Sequence, residues 1–155
     1  MPQLGKGGKF VYGKSLIRKN RLIQLPPQAI SEYDITAEGK VYLFSGSKST
    51  GGFCVTRKGL LLLSQLGNIL RDTPALLNYK LNEGQLVPYK GRYYCWLAIS
   101  PEGRIILPKQ TTASLALDEG MELLSIRSSN IAFTMGAKGP LLEVAANYRG
   151  VIEVF

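Results

Sequence analysis

Apolar and polar positions alternate along this chain in short runs that Gly and Pro repeatedly interrupt, a pattern that predicts brief strands, tight turns and a few short helices. The second half is the clearest. Tyr93 to Ile99 reads as a strand, Ser100-Pro101-Glu102-Gly103 as a turn, and Arg104 to Leu107 as a second strand. Pro108 ends that strand and suits a helix start, where its missing N–H has no helical acceptor to lose. The helix it opens sets Thr111 or Thr112, Leu115 and Leu117 on one side, and Asp118-Glu119-Gly120 turns the chain. Met121 to Ile126 and Ile131 to Met135 predict a hairpin around Ser128-Ser129-Asn130. Gly139-Pro140 opens a last helix, Pro140 to Arg149, before a closing strand, Val151 to Phe155. In the first half, the pattern predicts a long helix from Lys58 to about Leu70.

The same order of elements occurs twice. Leu22-Ile23-Gln24-Leu25-Pro26 returns as Arg104-Ile105-Ile106-Leu107-Pro108 at an offset of 82. Upstream, Gln3-Leu4 returns as Gln85-Leu86, and residues 8–12 return as 91–95 with a one-residue slip. Downstream, Tyr33-x-Ile35 matches Leu115-x-Leu117, Glu38-Gly39 matches Glu119-Gly120, and Lys58-Gly59 matches Lys138-Gly139. The expected organisation is therefore a first repeat over residues 1–72, an ordered connection over 73–84 and a second repeat over 85–155. A unit of this size leaves sheet edges and an apolar face open, which a twin in the same chain can cover.

Composition narrows the chemistry. With 45% apolar residues the 155-residue chain can bury a core, and its longest aliphatic run falls far short of the roughly 20 residues a membrane span needs. No membrane partner and a cytoplasmic location are the corresponding expectations. Histidine is absent, which removes His-based acid/base catalysis, Ser-His and Cys-His nucleophile pairs and most zinc sites. Cys54 and Cys95 have no CxxC spacing and read as packed thiols. No catalytic residue, metal or cofactor is expected, and the chain reads as a non-enzyme.

Charge separates the two halves. Residues 1–80 hold 12 Lys/Arg against 4 Asp/Glu, whereas residues 81–155 hold 7 of each, so the whole net charge of +8 belongs to the first half. Lys6, Lys9, Lys14, Arg18, Lys19 and Arg21 all precede the first acidic residue, Glu32. Closely spaced cations of this kind suit a polyanion, because they displace counterions from a phosphate backbone.

The segment Gly103 to Lys109, followed by Leu117 and Glu119-Gly120, resembles the AbrB/SpoVT (MazE-like) swapped-hairpin family, and the first repeat preserves the spacing from Pro26 to Ile35 and Glu38-Gly39. Tandem copies in one chain resemble the arrangement in MraZ. The resemblance implies a mixed, β-rich α+β fold in which two ββαβ-type repeats exchange hairpins into one pseudo-twofold barrel with added helices. It also implies binding to double-stranded DNA as a transcription regulator, and it suggests a homodimer as a further assembly. Family members carry an Arg four residues before the Pro, matched here by Arg104 but replaced by Leu22, with Arg21 one position away. Their basic residues four and five after the Pro are Ile30 and Ser31, and Thr112 and Ala113, in this chain.

Arg18, Lys19, Arg21 and Arg104 are accordingly the first candidates for DNA contact, with Lys14 and Lys109 in support. The loop containing Ser47, Lys48, Ser49, Gly51 and Gly52 has the hydroxyl and glycine content of an anion-binding turn, although a long hairpin loop explains most of that composition. Tyr93, Tyr94 and Trp96 alternate in a strand and read as core and edge positions before base-stacking ones. Two other readings stand beside DNA binding. One is a protein-interaction or assembly module that keeps the barrel without DNA recognition; the other is an antitoxin, disfavoured by the apolar ending Val151 to Phe155.

Overall fold

A computed structural model describes residues 3–4 and 9–155; Lys6 of the basic arm lies outside the described residues. The chain is a mixed α+β protein. Its first part runs β1 (Gln3–Leu4), β2 (Lys9–Leu16), β3 (Leu22–Gln24), α1 (Pro27–Tyr33), β4 (Lys40–Ser45) and β5 (Phe53–Thr56). Three short helices follow, α2 (Lys58–Leu61), α3 (Asn68–Asp72) and α4 (Pro74–Leu77). The second part runs β6 (Val87–Tyr89), β7 (Arg92–Ala98), β8 (Arg104–Ile106), α5 (Lys109–Ser114), β9 (Glu122–Arg127), β10 (Phe133–Gly136) and α6 (Pro140–Ala146). Both Leu-Pro steps end a strand and open a helix, with Pro26 and Pro108 in extended conformation at the helix starts.

Eight strands form one antiparallel sheet in the order β1-β2-β9-β10-β5-β4-β7-β6, and β3 pairs with β8 in a separate two-stranded ribbon. Strands of the two halves are interleaved. Leu16 pairs with Glu122 and Ala98 with Lys40, so the two ladders are exchanged by the same 82-residue offset found in the sequence. Ile23 pairs with Ile105 at the middle of the ribbon, and Cys54 pairs with Thr134 at the middle of the sheet. The expected barrel does not close as one hydrogen-bonded cylinder. Strands β1 and β6 are the two ends of the sheet, and the ribbon covers its inner face through side-chain packing instead of continuing the ladder.

That inner face holds the main core. Ile23 and Leu25 from the first Leu-Pro segment meet Ile105 and Leu107 from the second, together with Val41, Leu43, Phe53, Leu97, Leu123 and Phe133. The one-residue slip upstream of β3 has a structural counterpart. The β2–β9 register shifts between Val11 and Gly13, as in a β-bulge, and Tyr12 is packed edge-on against Tyr33 and Phe133 in the core. The Glu38-Gly39 match is corrected. Ile17 donates its N–H to Met121 O and Ile99 donates to Gly39 O, so Gly39 occupies the place of Met121 rather than Gly120. The later drift in offset falls in the hairpin loops, since residues 46–52 separate β4 from β5 but only residues 128–132 separate β9 from β10.

Two helical layers lie on the outer face. The long helix expected from Lys58 to Leu70 is broken into α2, a 3-10 turn at Gln65–Gly67, and α3. Ser64 caps the turn by accepting from the Leu66 N–H, and buried Gly67 passes so close to Leu61 O that a Cβ there would lie 2.6 Å from it. The breaks bring Leu61, Ile69, Leu70 and, from α4, Leu76 onto one surface of Tyr42, Phe44 and Tyr94. A single straight helix could not aim all four at it. The connection over 73–84 packs here as well, with Trp96 donating to Leu81 O at 2.8 Å and Tyr42 to Leu76 O at 3.0 Å. The last helix stops at Ala146 rather than Arg149. The closing strand is reduced to a parallel bridge between Val154 and Lys14. Among the described residues, no helix is long and apolar enough to cross a membrane.

Cys54 and Cys95 are buried free thiols. Burial pushes the Cys95 thiol from 9.0 up to about 12. An unfolded chain loses that proton near pH 9 while the folded one retains it, so this contribution to stability is intact below pH 9 and lost as pH rises toward 12. Melting temperature measured against pH is expected to fall above about pH 9, and Cys95→Val should make that alkaline decline shallower.

Candidate nucleic-acid interface

The β3–β8 ribbon alternates strictly between faces. Ile23 and Ile105 point into the core, leaving Leu22, Gln24, Arg104 and Ile106 toward solvent. Leu22 lies opposite Ile106, and Gln24 opposite Arg104, whose Nε donates to the Gln24 side-chain oxygen at 3.0 Å. The Gln24 amide in turn donates to Glu102 O at 2.9 Å. Arg104 is thus held by a cross-strand hydrogen bond with its guanidinium at the surface.

The turn at Lys19–Arg21 delivers the other cations. Asn20 and Arg21 both take positive φ, 63° and 64°, a conformation that ordinary residues adopt only when other contacts hold it. Those contacts are present. Arg21 donates its N–H to Arg18 O, accepts at its carbonyl from Leu107 N–H and donates Nε to Leu107 O at 2.7 Å, while Asn20 donates its N–H to Glu119 Oε1. Arg21 and Glu119 also approach to 4.0 Å. Arg18 and Lys19 are exposed on the outside of the turn, and Lys109 is exposed at the start of α5, two residues after Leu107.

Arg18, Lys19, Arg21 and Lys109 therefore gather at one end of the ribbon, and Arg104 lies toward the other, about 10 Å along the strand from Arg21. Lys14 does not join them. Ser15 turns its hydroxyl toward the ribbon to reach Gln24 O at 2.6 Å, so strand alternation sends Lys14 to the opposite face, where its backbone runs between Leu124 and the C-terminal segment. Gln24 and Glu119 are the members that sequence reasoning missed. Gln24 carried no charge to mark it, and Glu119 read simply as a turn residue 99 positions from Asn20.

The positions that would carry basic residues in the resembling family are turned partly inward. Ile30 is half-buried against the core, close to Gly103, and Thr112 is buried with its hydroxyl donating to Lys109 O at 2.8 Å. Tyr94 stacks on Phe44 and Trp96 is bonded to the backbone, while Tyr93 is 51% exposed. These are the core and edge roles expected from the strand pattern.

The Ser47–Gly52 loop closes on itself. Thr50 and Gly51 both donate their N–H groups to Ser47 O, and the Ser47 hydroxyl is within 3.0 Å of Ser49 and 3.2 Å of Thr50. Gly51 and Gly52 each take a φ of 61°, and the loop carbonyl of Thr50 accepts from Ala137 and Lys138. The amides of Thr50 and Gly51 that an anion cradle would use are already bonded, and Lys48 stands exposed at the tip. A Cβ on Gly52 would lie 2.0 Å from Met135 O, so Gly52→Ala is expected to cost about 1–3 kcal/mol in chemical denaturation.

Compared with protein-family models and with curated proteins, the chain matches none.

Proposed function

We propose that this protein is a DNA-binding, transcription-regulator-like protein of AbrB/SpoVT type, with the β3–β8 ribbon and the turn before it as the surface that meets double-stranded DNA. One observation carries this reading. Arg18, Lys19, Arg21, Arg104 and Lys109, drawn from both halves of the chain, are brought to one exposed two-stranded ribbon. A β-ribbon is an element that the major groove, about 12 Å wide, accepts. The exchanged registers of the two halves support reading the fold as a swapped-hairpin barrel of this type, opened at β1 and β6. The surface is lopsided. The Arg18–Arg21 end supplies phosphate contacts, and Arg104, oriented by Gln24, is placed for a base edge or a phosphate.

A second reading rests on the middle of the same ribbon. Leu22 faces Ile106, which is 53% exposed, and Glu119 offsets part of the charge of Arg21. An apolar centre with a charged rim is the anatomy of a protein contact, so a protein-interaction module on this scaffold is the alternative to DNA.

Fluorescence anisotropy with a duplex, titrated against salt, separates the two. DNA binding predicts affinity that falls steeply with ionic strength, and a combined Arg18→Ala, Lys19→Ala and Arg21→Ala variant should lower the slope by up to about three. Affinity indifferent to salt and to those substitutions contradicts the DNA reading. A stable protein partner recovered after nuclease treatment, and lost on Ile106→Asp, selects the alternative.

A further inference from the structure

A second feature lies on the other side of the sheet, independent of the ribbon. Between the helical layer of α2–α4 and α6, the outer face carries a groove of about 660 Å³ with the buried Cys54–Thr134 pair at its bottom. This is within the roughly 300–1,000 Å³ typical of small-molecule sites. Phe44 and Ile126 line its bottom as buried sheet residues, and the exposed apolar surface comes from Leu66, beside α3, and Val144 of α6, each about 40% exposed.

Its electrostatics are one-sided. Among the described residues no Asp or Glu lines the groove, whereas Arg92, Arg127 and Lys138 do. Arg127 is paired with Glu32 at 2.8 Å. Arg92 has no acidic partner among the described residues; it donates to Ser45 O at 2.9 Å and lies over the Phe44 ring at 5.5 Å. Lys138 is exposed and likewise has no acidic partner among them. The Ser47, Ser49, Ser128 and Ser129 positions add a polar rim.

We infer that this groove is a binding site for a free amphipathic anion, a single acyl-type chain ending in a carboxylate. The chain lies between the exposed side chains of Leu66 and Val144, removing their apolar surface from water, and the carboxylate meets Lys138 and Arg92. A neutral or cationic amphiphile would gain the same apolar contact without the charge pairing. The cationic rim therefore sets the choice of ligand.

Isothermal titration of the full chain tests this with decanoate and decyltrimethylammonium, both below their micellar concentrations. Decanoate is expected to saturate one site and to bind at least about tenfold more tightly than the cation. Lys138→Glu should weaken decanoate by about tenfold or more while leaving the melting temperature of the free protein unchanged, because the side chain is exposed. Val144→Asp, on the groove wall, should weaken it independently. Equal affinity for the two amphiphiles, no saturable binding, or decanoate affinity unmoved by Lys138→Glu overturns the site. Phosphatidylglycerol vesicles present the same head-and-chain chemistry in a bilayer. Flotation of the protein with them, undiminished by saturating decanoate, overturns the free-ligand assignment.

Discussion

Everything in this fold hangs on strands of one half finding their hydrogen-bond partners in the other. β2 pairs with β9, β7 with β4, β5 with β10, and β3 with β8, so neither half can satisfy its ladders or cover its apolar face alone. Backbone pairing fixes the register, and register decides which side chains point inward. Ile23 and Ile105 meet inside the core for that reason, and for the same reason Gln24 and Arg104 meet at the surface. The candidate interface is thus a direct product of the core's construction. Its two strands are the outer side of the segment that seals the interior.

On this interleaved sheet the chain builds two unlike surfaces. The ribbon side collects cations from both halves but is edged by Glu119 and centred on Leu22 and Ile106. The outer side is covered unequally, by three short helices over Tyr42 and Phe44 and by α6 over Val11, Leu124 and Ile126. The space between those layers is the groove. Asymmetry in the added helices, rather than in the shared strands, creates it.

Legibility in the sequence followed the range of the interaction. Strand-Pro-helix steps were readable because Pro fixes local backbone geometry, and the recurring order of elements was readable because strand and turn residues recur at nearly the same spacing. The broken helix after Lys58 was not. Apolar periodicity could not reveal that Leu61, Ile69 and Leu76 must reach one surface, nor that Gly67 is pressed against Leu61 O. The anion-loop candidate shares its residue types with a self-bonded turn: hydroxyls and glycines are as suited to bonding one another as to binding phosphate, and Ser47 does the former. Among the site candidates, Arg18, Lys19, Arg21, Arg104 and Lys109 shared a surface, but Lys14 was carried to the other face by one step of strand alternation. Members distant in sequence such as Glu119, and the groove cations Arg92 and Lys138, come together only once strands of the two halves have paired.

The direct measurement of this pairing between halves is to express residues 1–80 and 81–155 as separate chains and record amide-dispersed NMR spectra of each alone and of the two mixed. Interleaved ladders predict that neither fragment is a folded monomer and that mixing restores the dispersed spectrum of the intact chain. A folded, monomeric spectrum from either fragment by itself would contradict the account.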